Sequence, residues 1–294
     1  MKFYIVTPTY NALEWLRCCV RSVADQVQDG VEVHHHVQDG ASTDGTAEWL
    51  ALWQREHQVQ GYTFTYESAK DGGMYAAINL AWEKMPTDAD VTAHLNSDEQ
   101  YLPGALAGVA AGLAMKPEAD IALGTYIIVD NAGRYICHRR PILPHVWTSL
   151  TVCEIITCSC FHKADTFRKH GIRFDTRWRA IADVVFYRDI VRAYPQFLLL
   201  PNLITGTFAV TGQNLAWSET SRNEWKEVLA SLPWYANFLH QFSYRWCNVK
   251  RRIVDILCDS PLEYAFYLSN HEKRLFRKIK RPTCCWGKRI VGEN

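Results

Sequence analysis

The sequence predicts an α/β protein whose central sheet is mostly parallel and is flanked by helices. In the N-terminal third, short runs rich in β-branched and aromatic residues alternate with segments whose apolar residues recur every three or four positions. Such β-α-β alternation implies parallel strands joined by right-handed crossovers. Three of the strand-like runs also end in an acidic residue, which adds a functional clue to the fold class.

Four strands and three helices are predicted in this N-terminal part. The first helix has apolar residues at spacings of three and four, and Asn11 is its expected N-cap. The predicted strands are 2–7, 31–37, 62–67 and 91–95, and the predicted helices are 11–27, 44–58 and 74–84.

The next part of the chain mixes helices with antiparallel strands. An Ala/Gly-rich helix is followed by a hairpin around a polar turn, then by a strand and two helices, the first of which Gly171 ends. The predicted bounds are 103–115 for the Ala/Gly-rich helix, 121–129 with 135–139 for the hairpin, 155–162 for the strand, and 163–170 and 184–193 for the last two helices.

Asp39, Asp71 and Asp98 each follow a predicted strand. Because the carboxyl ends of parallel strands meet at one edge of a sheet, we expect these acids to lie together there. The run Asn96-Ser97-Asp98-Glu99 comes directly after a buried strand, and its oxygens suit Mg²⁺ or Mn²⁺, which would also bind a diphosphate. An Asx-type turn with Asp98 as a helix N-cap is the alternative interpretation of this run.

Composition narrows the class of protein. A formal net charge of +1 over 294 residues gives no bias toward nucleic acid. The chain starts directly in a strand without a signal peptide, and its longest uncharged run, 102–115, is too short to span a bilayer. These features predict a cytoplasmic protein. No Gly-rich phosphate loop is present, which argues against a dinucleotide dehydrogenase and a P-loop NTPase.

Ten cysteines without a secretion signal predict reduced thiols. Cys153, Cys158, Cys160 and His162 offer an alternative use of some of them as a zinc site. Their spacing matches none of the usual structural zinc patterns, so packing is the favoured interpretation.

Five motifs together carry a resemblance to a known family. They are Thr7-Pro8-Thr9-Tyr10-Asn11, residues 38–46, Asp71-Gly72-Gly73-Met74-Tyr75, Asn79 and residues 95–99. In order and spacing they resemble the family 2 glycosyltransferases, and especially the bacterial branch that builds surface polysaccharides. The resemblance covers about residues 3–210 and implies the GT-A fold, a Rossmann-like, mostly parallel sheet flanked by helices.

The resemblance implies a set of site residues. Those expected to bind the nucleotide and the donor sugar are Thr7, Pro8, Thr9, Asn11, Asp39, Asp71, Asn96 and Ser97. Asp39 would accept the imide N–H of uracil, which favours a UDP-sugar, although a guanine edge could serve as well. Asp98 would be the ligand of Mg²⁺ or Mn²⁺.

Two positions depart from the pattern of the family. Asn96 stands where the first Asp of the D-x-D-type motif is expected, so it can be at best a neutral ligand, whereas Glu99 fills the place of a second acid after Asp98. Ala76 stands where relatives commonly carry an acid, which affects the donor pocket.

Residues 174–186 resemble the family segment that holds the catalytic base, and Asp183 stands at the base position. The residue before it is Ala182, where relatives often have Glu. The implied mechanism is inverting: Asp183 removes the proton of the acceptor hydroxyl. A role as N-cap of the helix 184–193 is compatible with this one.

Residues 215–294 are expected to form a helical extension behind a GT-A domain at 1–214. Trp234, Phe238, Phe242 and Trp246 recur at every fourth position, which predicts an aromatic stripe packed on the catalytic domain. Residues 263–281 combine an apolar face with basic residues, the pattern of a basic interfacial helix, with a solvated helix as the alternative.

Residues 245–294 contain 12 Lys+Arg against 5 Asp+Glu. This excess predicts peripheral docking of 263–281 on the anionic inner leaflet, near a lipid-linked acceptor.

The predicted function is metal-dependent, inverting transfer of a hexosyl or hexosaminyl group from a nucleotide-diphosphate sugar to a glycan or lipid-linked acceptor in polysaccharide biosynthesis. A nucleotidyltransferase is one alternative, but it would carry a Gly-rich basic loop where Pro8-Thr9-Tyr10 stands. A non-catalytic nucleotide-sugar-binding relative is the other, because Asn96 and Ala76 replace expected acids.

Overall fold

A computed structural model describes residues 1–57, 59–194, 196–211, 214–215, 218–258, 262–280 and 282–284. The strands are β1 (Lys2–Thr9), β2 (Glu32–Asp39), β3 (Tyr62–Ser68), β4 (Val91–His94), β5 (Gln100–Tyr101), β6 (Ile121–Asp130), β7 (Tyr135–Arg139), β8 (Cys160–Lys163), β9 (Phe197–Val210), β10 (Glu263–Phe266) and β11 (Leu275–Lys278). The helices are α1 (Leu13–Ala24), α2 (Thr46–Glu56), α3 (Met74–Glu83), α4 (Ala105–Met115), α5 (Val146–Ser149), α6 (Ala164–His170), α7 (Ala182–Ala193), α8 (Glu219–Ser231) and α9 (Trp234–Leu257).

One large sheet organises the described part of the chain. Its strand order is β3-β2-β1-β4-β8-β6-β9-β5, and β7 pairs with β6. The pairs β3–β2, β2–β1, β1–β4 and β6–β9 are parallel, whereas β8 runs antiparallel to both β4 and β6. The predicted α/β architecture with a mostly parallel N-terminal half is therefore confirmed.

Apolar layers cover both faces of this sheet. Alternate side chains of β1 pack into one layer or the other. Phe3 and Ile5 pack with residues of α1, α2 and α4, whereas Tyr4 and Val6 pack with residues of α3, α6 and α7. Side chains of successive strand residues point to opposite faces, so one strand contributes to two layers. The strand ends are thereby held rigidly between two packed layers.

Several predicted element ends differ from the structure. The helix predicted at 184–193 begins at Ala182 with Ile181 at its N-cap, so Asp183 lies in the first turn and is not the N-cap. Asn11 is not the N-cap of α1: that position is Ala12, and Asn11 lies before it with a left-handed φ of 49°. The predicted strand 155–162 begins only at Cys160, because residues 157–159 form a short 3₁₀ turn. Asn11 and Thr157, in the last two of these segments, both make side-chain hydrogen bonds near the strand ends.

Residues 263–278 form a hairpin in place of the basic helix predicted at 263–281, whose last residue lies outside the described part of the chain. β10 and β11 pair antiparallel, and Tyr264 and Phe266, two residues apart, are buried against Ile127 and Val129 of β6. A spacing of two is strand periodicity, and the chance to bury two aromatic rings overrides the helix-like spacing of apolar residues in this segment. The membrane role assigned to a helix at 263–281 therefore lacks the structure it needs.

Arg274 connects this hairpin to the body of the protein. Its guanidinium donates to the Asp25 carboxylate at 3.0 Å and to the carbonyls of Tyr101 and Ala265 at 2.9 and 3.0 Å. Contacts of this kind join the tail to the sheet. The division into domains at 1–214 and 215–294 stays a prediction.

The helix α9 confirms that the aromatic stripe is helical, but the predicted packing of the stripe is wrong for three of its rings. Trp234, Phe242 and Trp246 are 84%, 58% and 42% exposed. Cys247, on the other side of the helix, is fully buried and donates to Glu154 at 3.0 Å. None of the described helices is long and apolar enough to cross a bilayer.

Candidate active site

The carboxyl ends of the first strands meet at one edge of the sheet. In the parallel register, Thr9 pairs with Asp39 and Asp39 pairs with Ser68. The amide of Leu95, just after β4, donates to the carbonyl of Val6 at 2.8 Å, so the fourth strand leads to the same edge. The predicted convergence of the strand ends is confirmed.

Asp39 ends β2 with a fully buried carboxylate. The hydroxyl of Ser68 donates to it at 2.6 Å, and the hydroxyl and amide of Ser42 donate to it as well. These donors offset the cost of removing a carboxylate from water. They also fix its orientation at the edge where the nucleotide base is expected.

Asn11 joins the turn after β1 to the turn after β2. Its side-chain oxygen accepts from the amide of Thr43 at 2.8 Å, and its own amide donates to the Ser42 hydroxyl at 2.8 Å. Asp44 completes the junction by accepting from the amide of Leu13 at 3.0 Å. Asn11 therefore shapes the floor of the site through the backbone of its neighbours.

Asp71 lies against the turn that follows Asp39. A Cβ atom added at Gly40 would stand 3.3 Å from Asp71 Oδ2 and 3.3 Å from the Tyr10 ring, so only glycine leaves both groups in place without a shift. The other oxygen of Asp71 accepts from the amide of Gly73 at 2.8 Å. The loop after β3, which carries Asp71, is thus packed against the turn that follows Asp39.

The threonines of β1 point into the protein. Thr7 is fully buried and its hydroxyl is hydrogen-bonded to His35 Nε2 at 2.8 Å, so a contact with a nucleotide would have to use its backbone. The Thr9 hydroxyl is buried without a partner among the described atoms. Pro8 is buried beside Gln38 of β2.

The two acids of the turn after β4, Glu99 and Asp98, differ in burial. Glu99 is fully buried, and its carboxyl accepts from the amide of Asn96 at 2.9 Å and from the hydroxyl of Thr157. Burial, with a smaller contribution from Asp98, raises the pKa of Glu99 to about 8. Asp98 and Ser97 are only half-buried, and desolvation raises the pKa of Asp98 to about 6. Asp98 is therefore the carboxyl of this turn that a ligand can reach.

Asp183 lies in the first turn of α7. Its carboxyl accepts from the amide of Val184 at 2.9 Å and from the hydroxyl of Tyr75 at 3.3 Å. Burial raises its pKa to about 6. The charge of Asp183 also contributes to the raised pKa of Glu99, so α7 brings this acid within electrostatic reach of the turn after β4.

Glu224 of α8 supports the segment before Asp183 and was not predicted from the sequence. Its carboxylate accepts from the amides of Arg179, Ala180 and Ile181 at 2.7, 2.9 and 3.2 Å. These are backbone donors at the start of α7, where a negative charge is stabilising. An acid on an otherwise ordinary amphipathic helix gives no sequence signal for such a contact.

Comparison with known proteins assigns the chain to a family. Residues 4–171, more than half of the chain, match the sequence profile of Glycosyl transferase family 2. The chain belongs to this family. A protein of Rickettsia bellii (strain RML369-C), described as an uncharacterized glycosyltransferase, is 25% identical over 177 residues. That alignment covers 55% of this chain but only 24% of the relative.

Solved structures share the fold of this family 2 chain at low identity. TarS 1-349 of S. aureus in complex with UDP-GlcNAc gives a TM-score of 0.62 at 17% identity, over 78% of this chain and 64% of that one. The mannosyltransferase PcManGT from Pyrobaculum calidifontis in complex with GDP-Man and Mn²⁺ gives 0.58 at 18% identity, over 87% and 74%. The predicted GT-A glycosyltransferase fold is confirmed.

The turn after β4 of this glycosyltransferase-family chain fits a hard divalent cation. Asp98 offers a carboxylate, and Asn96 Oδ1 is buried without a hydrogen-bond partner among the described atoms. Mg²⁺ is usually held by one or two carboxylates together with substrate phosphates. The described residues contain no cluster of three or more His, Cys, Asp or Glu arranged for a metal. The donor set therefore suits a cation that binds together with a diphosphate.

A cavity and the alternative zinc site lie outside the proposed metal and donor site. An open cavity of about 460 Å³ lies between α1 and α2, at the sheet edge opposite to the acids, and Trp49 and Trp53 line it. In the alternative zinc site, burial raises the thiol pKa of Cys158 and Cys160 well above the usual value. Protonated thiols are poor zinc ligands, and no three-ligand group is formed within the described part of the chain.

Proposed function

We propose that this chain is an inverting glycosyltransferase that moves a sugar from a nucleotide-diphosphate donor to an acceptor hydroxyl. The observation that carries the proposal is the Asp183 carboxyl, which lies in the first turn of α7, accepts from the Tyr75 hydroxyl at 3.3 Å and has a pKa that burial raises to about 6. Its charge acts on Glu99 in the turn that also holds Asp98. A carboxylate of this pKa is more basic than an ordinary Asp and is still mostly ionised at neutral pH. It is therefore suited to act as a general base.

In the proposed step, Asp183 accepts the proton of the acceptor hydroxyl while an electron pair of that oxygen forms a bond to C1 of the sugar. The bond between C1 and the diphosphate oxygen breaks, and the diphosphate leaves with the electron pair. Attack opposite to the leaving group inverts the configuration at C1. In this step Tyr75 would orient the Asp183 carboxylate, to which its hydroxyl donates at 3.3 Å.

The nucleotide is assigned to the edge formed by β1, β2 and β3. The buried Asp39 carboxylate, fixed by Ser42 and Ser68, can accept an imide N–H, which favours a UDP-sugar. TarS was solved with UDP-GlcNAc and PcManGT with GDP-Man, and both ligands support a nucleotide-diphosphate sugar as the class of donor. Asp71 is assigned to the ribose or the donor sugar.

Asp98, with Asn96 beside it, would hold Mg²⁺ or Mn²⁺, which neutralises the charge of a departing diphosphate. The neighbour with Mn²⁺ supports this choice of metal. The proposed acceptor is a glycan or a lipid-linked sugar in polysaccharide synthesis, as the resemblance to surface-polysaccharide enzymes implies.

Donor turnover tests the proposal without knowledge of the acceptor, because water can take the place of the acceptor hydroxyl. Nucleotide release is measured with UDP-hexoses, UDP-N-acetylhexosamines and GDP-mannose, each with Mn²⁺ or with EDTA. Metal-dependent release from one class of donor is expected.

The non-catalytic alternative rests on Asn96 and Ala76, which stand in place of acids. It predicts saturable binding of a nucleotide sugar without release of the nucleotide, even at high protein concentration. A folded protein that neither binds nor turns over any of these donors would contradict both functions.

A further inference from the structure

We infer that the outer face of α9 is a docking surface for an anionic lipid bilayer. The surface, called the α9 face below, consists of Phe242, Trp246, Val249, Ile253 and Ile256, which are 58%, 42%, 46%, 50% and 81% exposed, in that order. Residues three or four apart lie on one side of a helix, so these five side chains form a single stripe.

The α9 face is long and continues onto a neighbouring segment. The helix rises about 21 Å from Phe242 to Ile256, which lie fourteen residues apart. The Trp147 ring stacks on Phe242 with its centroid 6.1 Å away. Leu143, Val146 and Trp147 are themselves 46%, 50% and 38% exposed. A contiguous apolar surface of this kind marks an interaction site, because soluble proteins rarely leave one uncovered.

The opposite side of α9 is fixed to the protein by polar contacts. Asp255 is the sole acid among residues 234–257, and it is turned inward to His138 and Arg140 at 2.6 and 3.1 Å. Glu154, the acid of the neighbouring segment, is buried and paired with Lys250 at 3.2 Å. Asp255 and Glu154 thus both have partners within the protein.

The exposed charges beside the α9 face are cationic. Arg245 and Arg252 are exposed and lie at helical spacing from Phe242 and Val249, on the flank of the stripe. Aromatic and aliphatic side chains flanked by arginines, with no exposed acid on the helix, are typical of a helix that lies in the headgroup region of an anionic membrane. The charge of the face is complementary to such a surface.

A second copy of the chain fits this face less well. In a two-fold symmetric dimer, the α9 face of one copy contacts the α9 face of the other. The two arginines of one copy would then approach the two arginines of its partner. Like charges that face each other at an interface are unfavourable. The bilayer therefore is the occupant that both the apolar and the charged residues favour.

Vesicle flotation of the full chain tests this inference independently of sugar transfer. The protein is mixed with vesicles of phosphatidylcholine alone or with added phosphatidylglycerol, at low and high salt. We expect flotation with the anionic vesicles, and a loss of binding as salt rises.

Paired variants separate the two contributions. Trp246→Ser with Ile253→Ser should weaken partitioning by about tenfold or more, because binding scales with the apolar area that enters the interface. Arg245→Glu with Arg252→Glu should abolish the preference for anionic lipid. Met115→Ser and Arg55→Glu, at exposed positions on other helices, are matched controls and should bind as the parent does.

Retained flotation in both paired variants would overturn the inference, as would a failure of the parent chain to float. A concentration-dependent dimer in light scattering that Trp246→Ser with Ile253→Ser dissolves, without vesicle binding by the parent, would assign the face to a second copy instead. Thermal unfolding checks the variants, and the single change Ile256→Ser, at an 81% exposed position, provides a second test if a double variant is unstable.

Discussion

The two ends of the candidate cleft hold their carboxyl groups in different ways. At the nucleotide end, Asp39 is buried but receives hydrogen bonds from two serine hydroxyls and a backbone amide. At the end assigned to the chemistry, burial exceeds the compensation by hydrogen bonds, and the pKa values of Asp98 and Asp183 are raised to about 6. A fully hydrogen-bonded carboxylate is fixed in place, whereas a desolvated one can accept a proton or bind a cation.

The largest expected effect is the loss of the base. Asp183→Asn keeps the size and the hydrogen-bonding shape of the side chain but cannot accept a proton, so kcat should fall by about a thousandfold. The dissociation constant for the nucleotide should change little. Steady-state kinetics and calorimetry measure the two quantities.

Asp189→Asn is the matched control for this variant, because Asp189 lies on the same helix with a half-exposed side chain near Arg192. Transfer by Asp183→Asn at the rate of the control would remove Asp183 from the role of base.

The second effect concerns the turn after β4. Asp98→Asn should weaken Mn²⁺-dependent binding of the donor by about a hundredfold, because it removes the one negatively charged ligand assigned to the cation and leaves two neutral amides. Donor affinity is measured by titration at several Mn²⁺ concentrations. Asp88→Asn, at the opposite end of β4, is the control and should bind normally.

The third effect is a dependence of rate on pH. Asp183 must be ionised to act as a base, so kcat/KM should rise with pH, bend near pH 6 and level off above it. At one pH unit below the bend the rate should be about tenfold lower than on the plateau. The profile is recorded at saturating Mn²⁺. A flat profile between pH 5 and 8 would mean that no carboxyl of raised pKa limits the reaction.

The smallest effect is expected at the nucleotide end. Ser68→Ala removes one of the hydroxyl donors to Asp39, which should raise KM for the donor by about fivefold and leave kcat unchanged. Thr63→Ala, at an exposed position of the same strand, is the control. A fall in kcat with unchanged KM would show that Asp39 acts at the chemical step and would break the distinction between the two ends.

The sequence predicted the N-terminal half well for a physical reason. Its strands are short apolar runs: β2 ends in Asp39, and Asp71 and Asp98 follow β3 and β4 within a few residues. Strand, turn and acid are therefore all local signals. Parallel topology then brings the acids together without any further information.

The tail and the supports of the site depend on distant contacts that local patterns do not contain. The hairpin at 263–278 forms because Tyr264 and Phe266 pack against β6, whereas their spacing to later apolar residues also fits a helix. Glu224 reaches the backbone of residues 179–181 from another helix, and Glu99 turns inward to Thr157. Such partners are chosen by the folded structure and not by sequence spacing.

Calorimetric titration tests the distinction between the two ends most directly. UDP and GDP are titrated, with and without Mn²⁺, into the parent chain, Asp98→Asn and Asp183→Asn. We predict Mn²⁺-dependent binding of one nucleotide by the parent and by Asp183→Asn, and loss of the metal dependence in Asp98→Asn. Binding that is equally strong without Mn²⁺ in all three proteins would contradict the assignment of Asp98 to the metal and of the strand ends to a nucleotide diphosphate.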